Sequence, residues 1–264
     1  MSYMTVIKSL KPKTLGKRFE LDADGRITKS VVANIWEGKA TAAAGGTPER
    51  LAVLLRHACE KSDIALMSGR FLNAESKEPV NLVTERRLAD VMGCELQAVP
   101  GGVQFVDREK CAARVKRGIE PGCWILIDAD NPEGIPNKWA AMTLQERLEF
   151  LEPIVPGISS CTRVEYRASS ARVVKEGQKP DGATHAWISI SDAAKLEVLR
   201  EHVKVQMQLQ DLSFASPRYA KKTGEMIGAE ARTVIDLAAW LPGRLVYCSK
   251  PEAQIGGYYV ADAG

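Results

Sequence analysis

The sequence lacks several patterns that would assign it directly to a functional class. None of its six cysteines forms a C-x-x-C pair, which argues against a zinc ribbon. No apolar run approaches the roughly 20 residues that a membrane span needs, and no such run follows the basic start, residues 1–13, as it would in a secretory signal. A G-x-x-x-x-G-K-[ST] loop is also missing, so the chain has no helicase motif of that type. These absences favour a cytoplasmic protein with reduced thiols and no membrane partner.

The composition is that of an ordinary globular protein with a slight excess of positive charge. Of the 264 residues, 45% are hydrophobic and 26% are charged, and this length allows one large domain or two smaller lobes. The formal net charge of +3 is compatible with a nucleic-acid partner but does not require one. Fold and function must therefore be inferred from local patterns.

The first 120 residues have the pattern of an α/β module. Helices are predicted from Pro48, with Thr47 as the cap, from Thr84 to Met92, with Gly93 as the end, and from Asp107 to Lys116. A turn at Glu120-Pro121-Gly122 follows the third of these segments. We therefore place a domain boundary near residue 120.

The second part of the chain, residues 121–264, is rich in short apolar segments. Strands are predicted at Cys123–Ile127, Cys161–Ala168, His185–Ile190, Val234–Trp240 and Arg244–Cys248, and a hairpin from Phe214 to Ala231. A helix capped by Ser191-Asp192 is the main interruption. Because few helices separate the strands, the pattern predicts an α+β fold with a mainly antiparallel sheet.

Two aspartates follow a short apolar run and form the strongest chemical signal in the sequence. Asp128 and Asp130 come two positions apart, directly after Ile125-Leu126-Ile127. If both lie on a strand, their side chains point to the same face, where two negative charges repel each other unless a cation compensates them. Such hard oxygen ligands suit Mg²⁺ or Mn²⁺. A strand that ends in a solvated loop at Asn131-Pro132 explains the same residues equally well.

A third aspartate favours the metal-site interpretation. Asp236 follows Val234 and Ile235, on a second apolar segment. A lone aspartate in such a place is usually a turn or edge residue. Three acidic residues on two strands, however, can build a two-metal site for phosphoryl transfer. Asp128, Asp130 and Asp236 are thus the candidate ligands of such a site.

Other residues have side chains that could bind phosphate, although each also has an ordinary structural explanation. His185 begins an apolar strand, where a histidine is more often a hydrogen-bonded core residue than a catalytic one. Ser170 and Arg172 combine a small hydroxyl with a guanidinium that can bind phosphate oxygens in a bidentate manner, or they form a solvated turn. Arg244 and Lys250 flank a short apolar segment and, taken singly, would be surface cations.

Taken in order, these motifs resemble those of the archaeo-eukaryotic primase superfamily, in particular the primase-polymerases of plasmids, phages and other mobile elements. That family has an hhhDhD motif, an S-x-H-like motif and an hD motif, which correspond here to Ile127–Asp130, Ala183–His185 and Ile235-Asp236. Other similar stretches are Lys17–Gly25, Gly38–Ala40, a hairpin with Arg218, Lys221, Thr223-Gly224 and Arg232, and the tail Ile235–Trp240 with Arg244–Lys250. The resemblance therefore touches most of the chain.

The resemblance implies roles for particular residues and a two-lobed fold. By this resemblance, Asp128, Asp130 and Asp236 are catalytic residues that hold two Mg²⁺ or Mn²⁺ ions, and His185, Arg172, Ser170, Arg244 and Lys250 bind the nucleotide triphosphate. Ala183 stands where the family often has serine, so Ser169 or Ser170 is expected to supply that hydroxyl, across an insertion from about residue 173 to 181. The implied fold is an N-terminal α/β module, residues 1–120, packed on an RRM-like catalytic module, residues 121–264.

The implied function is that of a DNA primase or DNA-directed polymerase, with single-stranded DNA template, primer and nucleoside triphosphates as its partners. Since the chain shows no helicase motif and ends soon after the last family motif, we expect a helicase or a helical initiation domain in a longer parent chain or a separate protein. The alternative is a catalytically silent, DNA-binding replication initiator of the same fold. A metal-dependent nuclease or phosphatase would share the carboxylates but leaves Arg244–Lys250 unexplained.

Overall fold

A computed structural model describes residues 3–24, 27–180, 182, 184–220, 223–253 and 255–264 of the chain. Gly25, Asp181, Ala183 and Lys221, which figure in the sequence analysis, lie outside these described residues. The structure is mixed α+β and consists mostly of strands, as the sequence predicts. Among the helices that it describes, none is both long and apolar enough to cross a membrane.

The strands, in chain order, are β1 (Tyr3–Lys11), β2 (Gly16–Leu21), β3 (Ile27–Val32), β4 (Glu37–Ala44), β5 (Ile64–Ser68), β6 (Arg70–Phe71), β7 (Pro79–Val83), β8 (Val103–Val106), β9 (Glu109–Ala113), β10 (Ile119–Glu120), β11 (Trp124–Asp128), β12 (Arg163–Tyr166), β13 (Val173–Lys175), β14 (His185–Ser189), β15 (Ser213–Tyr219), β16 (Met226–Thr233), β17 (Leu245–Val246), β18 (Glu252–Ala253) and β19 (Tyr258–Val260). The α-helices are α1 (Pro48–Glu60), α2 (Glu85–Met92), α3 (Asn137–Ala140), α4 (Leu144–Leu151) and α5 (Leu196–Leu209). Short 3-10 helices are present at Leu96–Ala98, Lys116–Gly118, Ser170–Arg172, Ala193–Lys195 and Leu237–Trp240.

The chain forms two compact units, and each is built from more than one segment. Unit 1 contains residues 1–124, 167–181 and 242–264, and unit 2 contains residues 125–166 and 182–241. The sequence analysis places one boundary near residue 120. Unit 1, however, also includes residues 167–181 and 242–264, which follow that boundary. The reason is strand pairing: β17 pairs with β5, β18 with β2, and β13 with β19.

Unit 1 is organised around a seven-stranded sheet in the order β17-β5-β1-β4-β7-β9-β8. Its pairings are antiparallel except for that of β7 with β9. Helix α1 begins at the predicted cap, since the Thr47 hydroxyl accepts from the backbone N–H of Arg50. Thr84, predicted as the first residue of the second helix, instead caps α2 and accepts from the backbone N–H of Arg87. Gly93 ends α2 in the left-handed conformation, with φ 62°.

The helix predicted from Asp107 to Lys116 is wrong. That segment belongs to the antiparallel hairpin of β8 and β9. Asp107 and Arg108 have φ values of 48° and 69°, and two consecutive left-handed residues form a tight hairpin turn that ends any helical run. The apolar residues of β9 pack into the core of the sheet, where Ala112 is fully buried.

Unit 2 contains a three-stranded sheet in the order β11-β14-β12 and the separate antiparallel hairpin of β15 and β16. One face of α4 and one face of α5 pack into its hydrophobic core, with residues such as Leu148 and Val203 fully buried. The hairpin confirms the prediction for residues 214–231. Strands β11, β12 and β14 likewise confirm the corresponding apolar segments.

The strand predicted from Val234 to Trp240 is also wrong. Strand β16 ends at Thr233, the chain then bends, and Leu237–Trp240 forms a 3-10 helix. Asp236 favours this change, because its Oδ1 accepts a hydrogen bond of 2.9 Å from the backbone N–H of Ala238 and so caps the short helix. The segment still runs beside β11, since Trp240 Nε1 donates to the carbonyl of Leu126 at 2.9 Å.

Candidate metal centre

The candidate site lies where β11 ends in unit 2. Asp128 is the last residue of the strand and is half-buried, whereas Asp130 is exposed in the loop that follows. The backbone N–H of Asp130 donates to Oδ1 of Asp128 over 3.0 Å. The two carboxylates are therefore held together by a local turn and not by the alternation of side chains along a strand.

The neighbouring strand brings a histidine to the same place. His185 is the first residue of β14, which pairs beside β11, and the backbone N–H of Ala129 donates to the carbonyl of Thr184 over 3.1 Å. Its imidazole is buried, with Nε2 lying 3.2 Å from Oδ1 of Asp128. Nδ1 shares a hydrogen bond of 2.9 Å with the hydroxyl of Tyr166, the last residue of β12.

The bond at Nδ1 leaves the second imidazole nitrogen, Nε2, beside the carboxylate of Asp128. Nε2 of His185 is buried and makes no hydrogen bond to any group in the described part of the chain. When the ring proton is on Nδ1 and is donated to Tyr166, Nε2 presents a lone pair 3.2 Å from a carboxylate oxygen. Two electron-rich atoms at that separation repel each other unless a proton or a cation lies between them.

Together, Asp128, Asp130 and His185 form a group that could hold a metal ion. One ligand atom from each residue lies within 4.8 Å of the other two, and this is the one such group of three found among the described residues. The donor set fits a divalent cation, because carboxylate oxygens suit Mg²⁺ and Mn²⁺, and an imidazole nitrogen also suits transition metals. The bond from Nδ1 to Tyr166 is the kind of outer contact that orients a metal-binding histidine.

Asp236, the third predicted metal ligand, lies beside this group but is not part of it. Its backbone N–H donates to the carbonyl of Asp128 over 3.0 Å, so the two residues are adjacent along the backbone. One of its carboxylate oxygens is bonded to the Ala238 N–H as a helix cap. The structure therefore brings together Asp128, Asp130 and His185, a histidine that the family resemblance assigns to nucleotide binding.

The structure also reveals a charged residue that the sequence analysis missed. Arg147 on α4 is buried, and its guanidinium donates to the carbonyls of Val234 and Asp130 over 2.8 and 3.3 Å. Burial lowers the pKa of Arg147, and the nearby Asp128 and Asp130 carboxylates act in the opposite direction. A signal was present in the sequence, because Arg147 shares the apolar face of its helix with Leu144, Leu148 and Leu151.

The remaining predicted nucleotide-binding residues belong to unit 1. Arg172 is buried, and its Nε donates to the carbonyl of Ala261 over 2.8 Å. This guanidinium therefore already bonds to the backbone of unit 1. Ser170 is half-buried, and its Oγ lies 3.4 Å from Nζ of Lys17. Arg244 and Lys250 are exposed on either side of β17. Their contacts with a nucleotide remain predictions.

Comparison with known proteins finds no match. No protein-family model matches the sequence, and neither a curated protein nor a solved structure is significantly similar to it.

Proposed function

We propose that this chain is a metal-dependent nucleotidyltransferase of the primase-polymerase type, which extends or makes primers on a DNA template. The observation that carries the proposal is the Asp128, Asp130 and His185 group at the end of β11, where the sequence motifs of that family lie. The RRM-like architecture of the catalytic module and a cytoplasmic location are parts of the same proposal. The six cysteines, all within the described residues, are free thiols, which suits that location.

In this proposal, Asp128, Asp130 and His185 hold a divalent cation, either Mg²⁺ or Mn²⁺. Asp236 remains the candidate for a second metal, since its backbone is hydrogen-bonded to that of Asp128 and one of its carboxylate oxygens is not used by the helix cap. When bound, the metal ions would lower the pKa of the attacking 3′-hydroxyl and stabilise the leaving pyrophosphate. The chain itself would supply the fixed carboxylates and an oriented imidazole, so that little rearrangement is needed when the substrates bind.

Substrate binding is the second part of the proposal. The exposed cations Arg244 and Lys250 are its best candidates for the nucleotide triphosphate, because their side chains are open to solvent. Ser170 and Arg172 remain weaker candidates, since the Arg172 guanidinium already bonds to a backbone carbonyl. The other proposed partners are a single-stranded DNA template and a primer, with a helicase or a helical initiation domain acting elsewhere.

The test is primer extension on a templated oligonucleotide with Mg²⁺ or Mn²⁺. Asp128→Asn and Asp130→Asn remove the negative charge while keeping nearly the same shape. Because metal-assisted charge stabilisation is worth several kcal/mol, we expect each variant to lose at least about a hundredfold in extension rate. Template affinity should change little, since it depends mainly on phosphate contacts by basic residues.

Asp192→Asn is the matched control, because the Asp192 carboxylate, like that of Asp128, accepts a hydrogen bond from the backbone N–H two residues later in unit 2, and asparagine accepts such a bond equally well. It should extend primers as the wild type does. Wild-type extension by Asp128→Asn or Asp130→Asn would refute the site. A wild-type protein that binds single-stranded DNA but never extends a primer would instead identify a silent replication initiator.

A further inference from the structure

The most unusual buried group in unit 2 is a guanidinium on the apolar face of a helix. Arg147 lies on α4 with only 1% of its surface exposed. Its neighbours on that face, Leu144, Leu148 and Leu151, are all buried. A buried positive charge is costly unless hydrogen bonds and opposite charges compensate it. The contacts of Arg147 should therefore show why a cation stands at this position.

Those contacts join three backbone segments. Nη1 donates to the carbonyl of Val234 over 2.8 Å and to that of Asp130 over 3.3 Å. Nη2 donates to the carbonyl of Trp139 over 3.1 Å and to the side-chain oxygen of Asn131. One planar group thus ties the loop that carries Asp130 to the segment that leads to Asp236 and to the short helix α3, which contains Trp139.

The positive charge of Arg147 also acts on the carboxylates of the metal centre. Asp128 and Asp130 are near enough to interact electrostatically with the guanidinium. In the metal-free protein, these two carboxylates repel each other, and a fixed positive charge behind them reduces that repulsion. Arginine is suited to this position because its planar fork binds several oxygens at once and stays protonated, whereas lysine offers a single ammonium group.

We infer that Arg147 is a positioning residue of the metal centre, which fixes the Asp130 loop against the Val234–Asp236 segment before a metal ion binds. The inference rests on the metal centre of the proposed function, but not on nucleotide transfer. Arg147 itself contacts the backbone and Asn131, so it acts through the ligands and not on the metal. Its loss should weaken metal binding in protein that is still folded.

The experiment is a Mn²⁺ titration of the full chain without DNA or nucleotide, in which electron paramagnetic resonance measures the free ion. Arg147→Lys keeps the positive charge but removes the planar guanidinium that bonds to several oxygens at once. Since outer contacts of metal ligands typically contribute tenfold to a hundredfold in metal affinity, we expect the dissociation constant to rise by about that factor. Circular dichroism checks that the variant is folded.

Arg163→Lys is the matched control. Arg163 is also largely covered, and it donates to the carbonyl of Ser159 over 2.9 Å and to Gln145 Oε1 over 2.6 Å within unit 2. A general loss of stability would affect both variants, so a change in Mn²⁺ affinity confined to Arg147→Lys separates positioning from simple structural support.

A second variant keeps the inference testable if Arg147→Lys does not fold. Asn131→Ala removes the side-chain oxygen that accepts a hydrogen bond from Arg147. Because Asn131 is exposed, the protein should remain folded, and Mn²⁺ binding should weaken several-fold. Wild-type Mn²⁺ affinity in the folded variants would overturn the inference. Absence of primer extension alongside tight Mn²⁺ binding by the wild type would count against the proposed function and leave this inference standing.

Discussion

At the scale of single residues, the metal centre depends on the way His185 is held. Its Nδ1 is bonded to the Tyr166 hydroxyl, and the two rings meet edge to face with centroids 5.0 Å apart. The hydrogen bond fixes the position of Nδ1, and the ring contact restricts rotation of the imidazole. Together they keep Nε2 close to Asp128.

This arrangement predicts the effect of removing one hydroxyl group. Tyr166→Phe keeps the ring contact but removes the bond to Nδ1, so the orientation of His185 becomes less defined. We expect the Mn²⁺ dissociation constant to rise about tenfold or more. The buried Nδ1 also loses its partner, which should lower the free energy of unfolding by about 1–3 kcal/mol. Tyr259→Phe is the control, because that exposed hydroxyl bonds to the carbonyl of Gln178 in unit 1 and should leave Mn²⁺ binding unchanged. Equal Mn²⁺ affinities in the three proteins would show that Tyr166 does not orient the ligand.

At the scale of elements, close backbone packing determines how β5 passes into β6. Gly69 joins these strands with a φ of +100°, and its N–H donates to the carbonyl of Tyr3 over 2.9 Å. A Cβ at this position would overlap the Glu120 carbonyl oxygen and come within 2.9 Å of the Gly122 nitrogen. Both obstacles are backbone atoms, which cannot move aside as a flexible side chain would.

Two glycine substitutions separate the effect of packing from that of backbone conformation. Gly69→Ala should destabilise the protein by about 3 kcal/mol or more, because left-handed strain and backbone overlap add together. Gly177→Ala should cost only about 1 kcal/mol, since Gly177 has a φ of +81° but open space around its Cβ. Denaturant unfolding measures both. Similar losses for the two variants would mean that the backbone around Gly69 relaxes.

At the scale of the whole molecule, each unit has its own hydrophobic core. The large core cluster of unit 2 includes Ile127, Leu148 and Trp240, and a separate cluster in unit 1 includes Ile7 and Phe71. The candidate metal ligands all belong to unit 2, and Ile127 directly precedes the first of them along β11. A cation that binds these ligands only in the folded protein should therefore stabilise unit 2 directly.

Metal binding should accordingly be visible in thermal unfolding. A ligand present at a hundredfold excess over its dissociation constant stabilises the folded state by about 2.7 kcal/mol. We expect saturating Mn²⁺ to raise the unfolding temperature of the wild type in scanning calorimetry, and EDTA to reverse the shift. The double variant Asp128→Asn, Asp130→Asn is the control and should show no shift. An equal shift in that variant would place the bound ion elsewhere on the protein.

Local signals account for the parts of the structure that the sequence predicts well. The cap at Thr47, the helix start near Thr84 and the stop at Gly93 depend on atoms a few residues apart, and the hairpin of β15 and β16 joins neighbouring segments. The segment 107–116 shows the limit of such signals. Its apolar spacing is compatible with a helix, whereas the left-handed pair Asp107-Arg108 turns the chain into a hairpin.

By itself, the sequence determined the strand that ends in Asp128 and the carboxylate pair with Asp130, because both depend on a short contiguous segment. Only the tertiary structure decided which groups join that pair. His185 reaches it through the pairing of distant strands, Asp236 lies beside it through a backbone hydrogen bond to Asp128, and Arg147 is buried where three segments converge. Such partners are chosen by long-range packing and by hydrogen bonding between distant segments, so the sequence around each residue does not show which groups it meets.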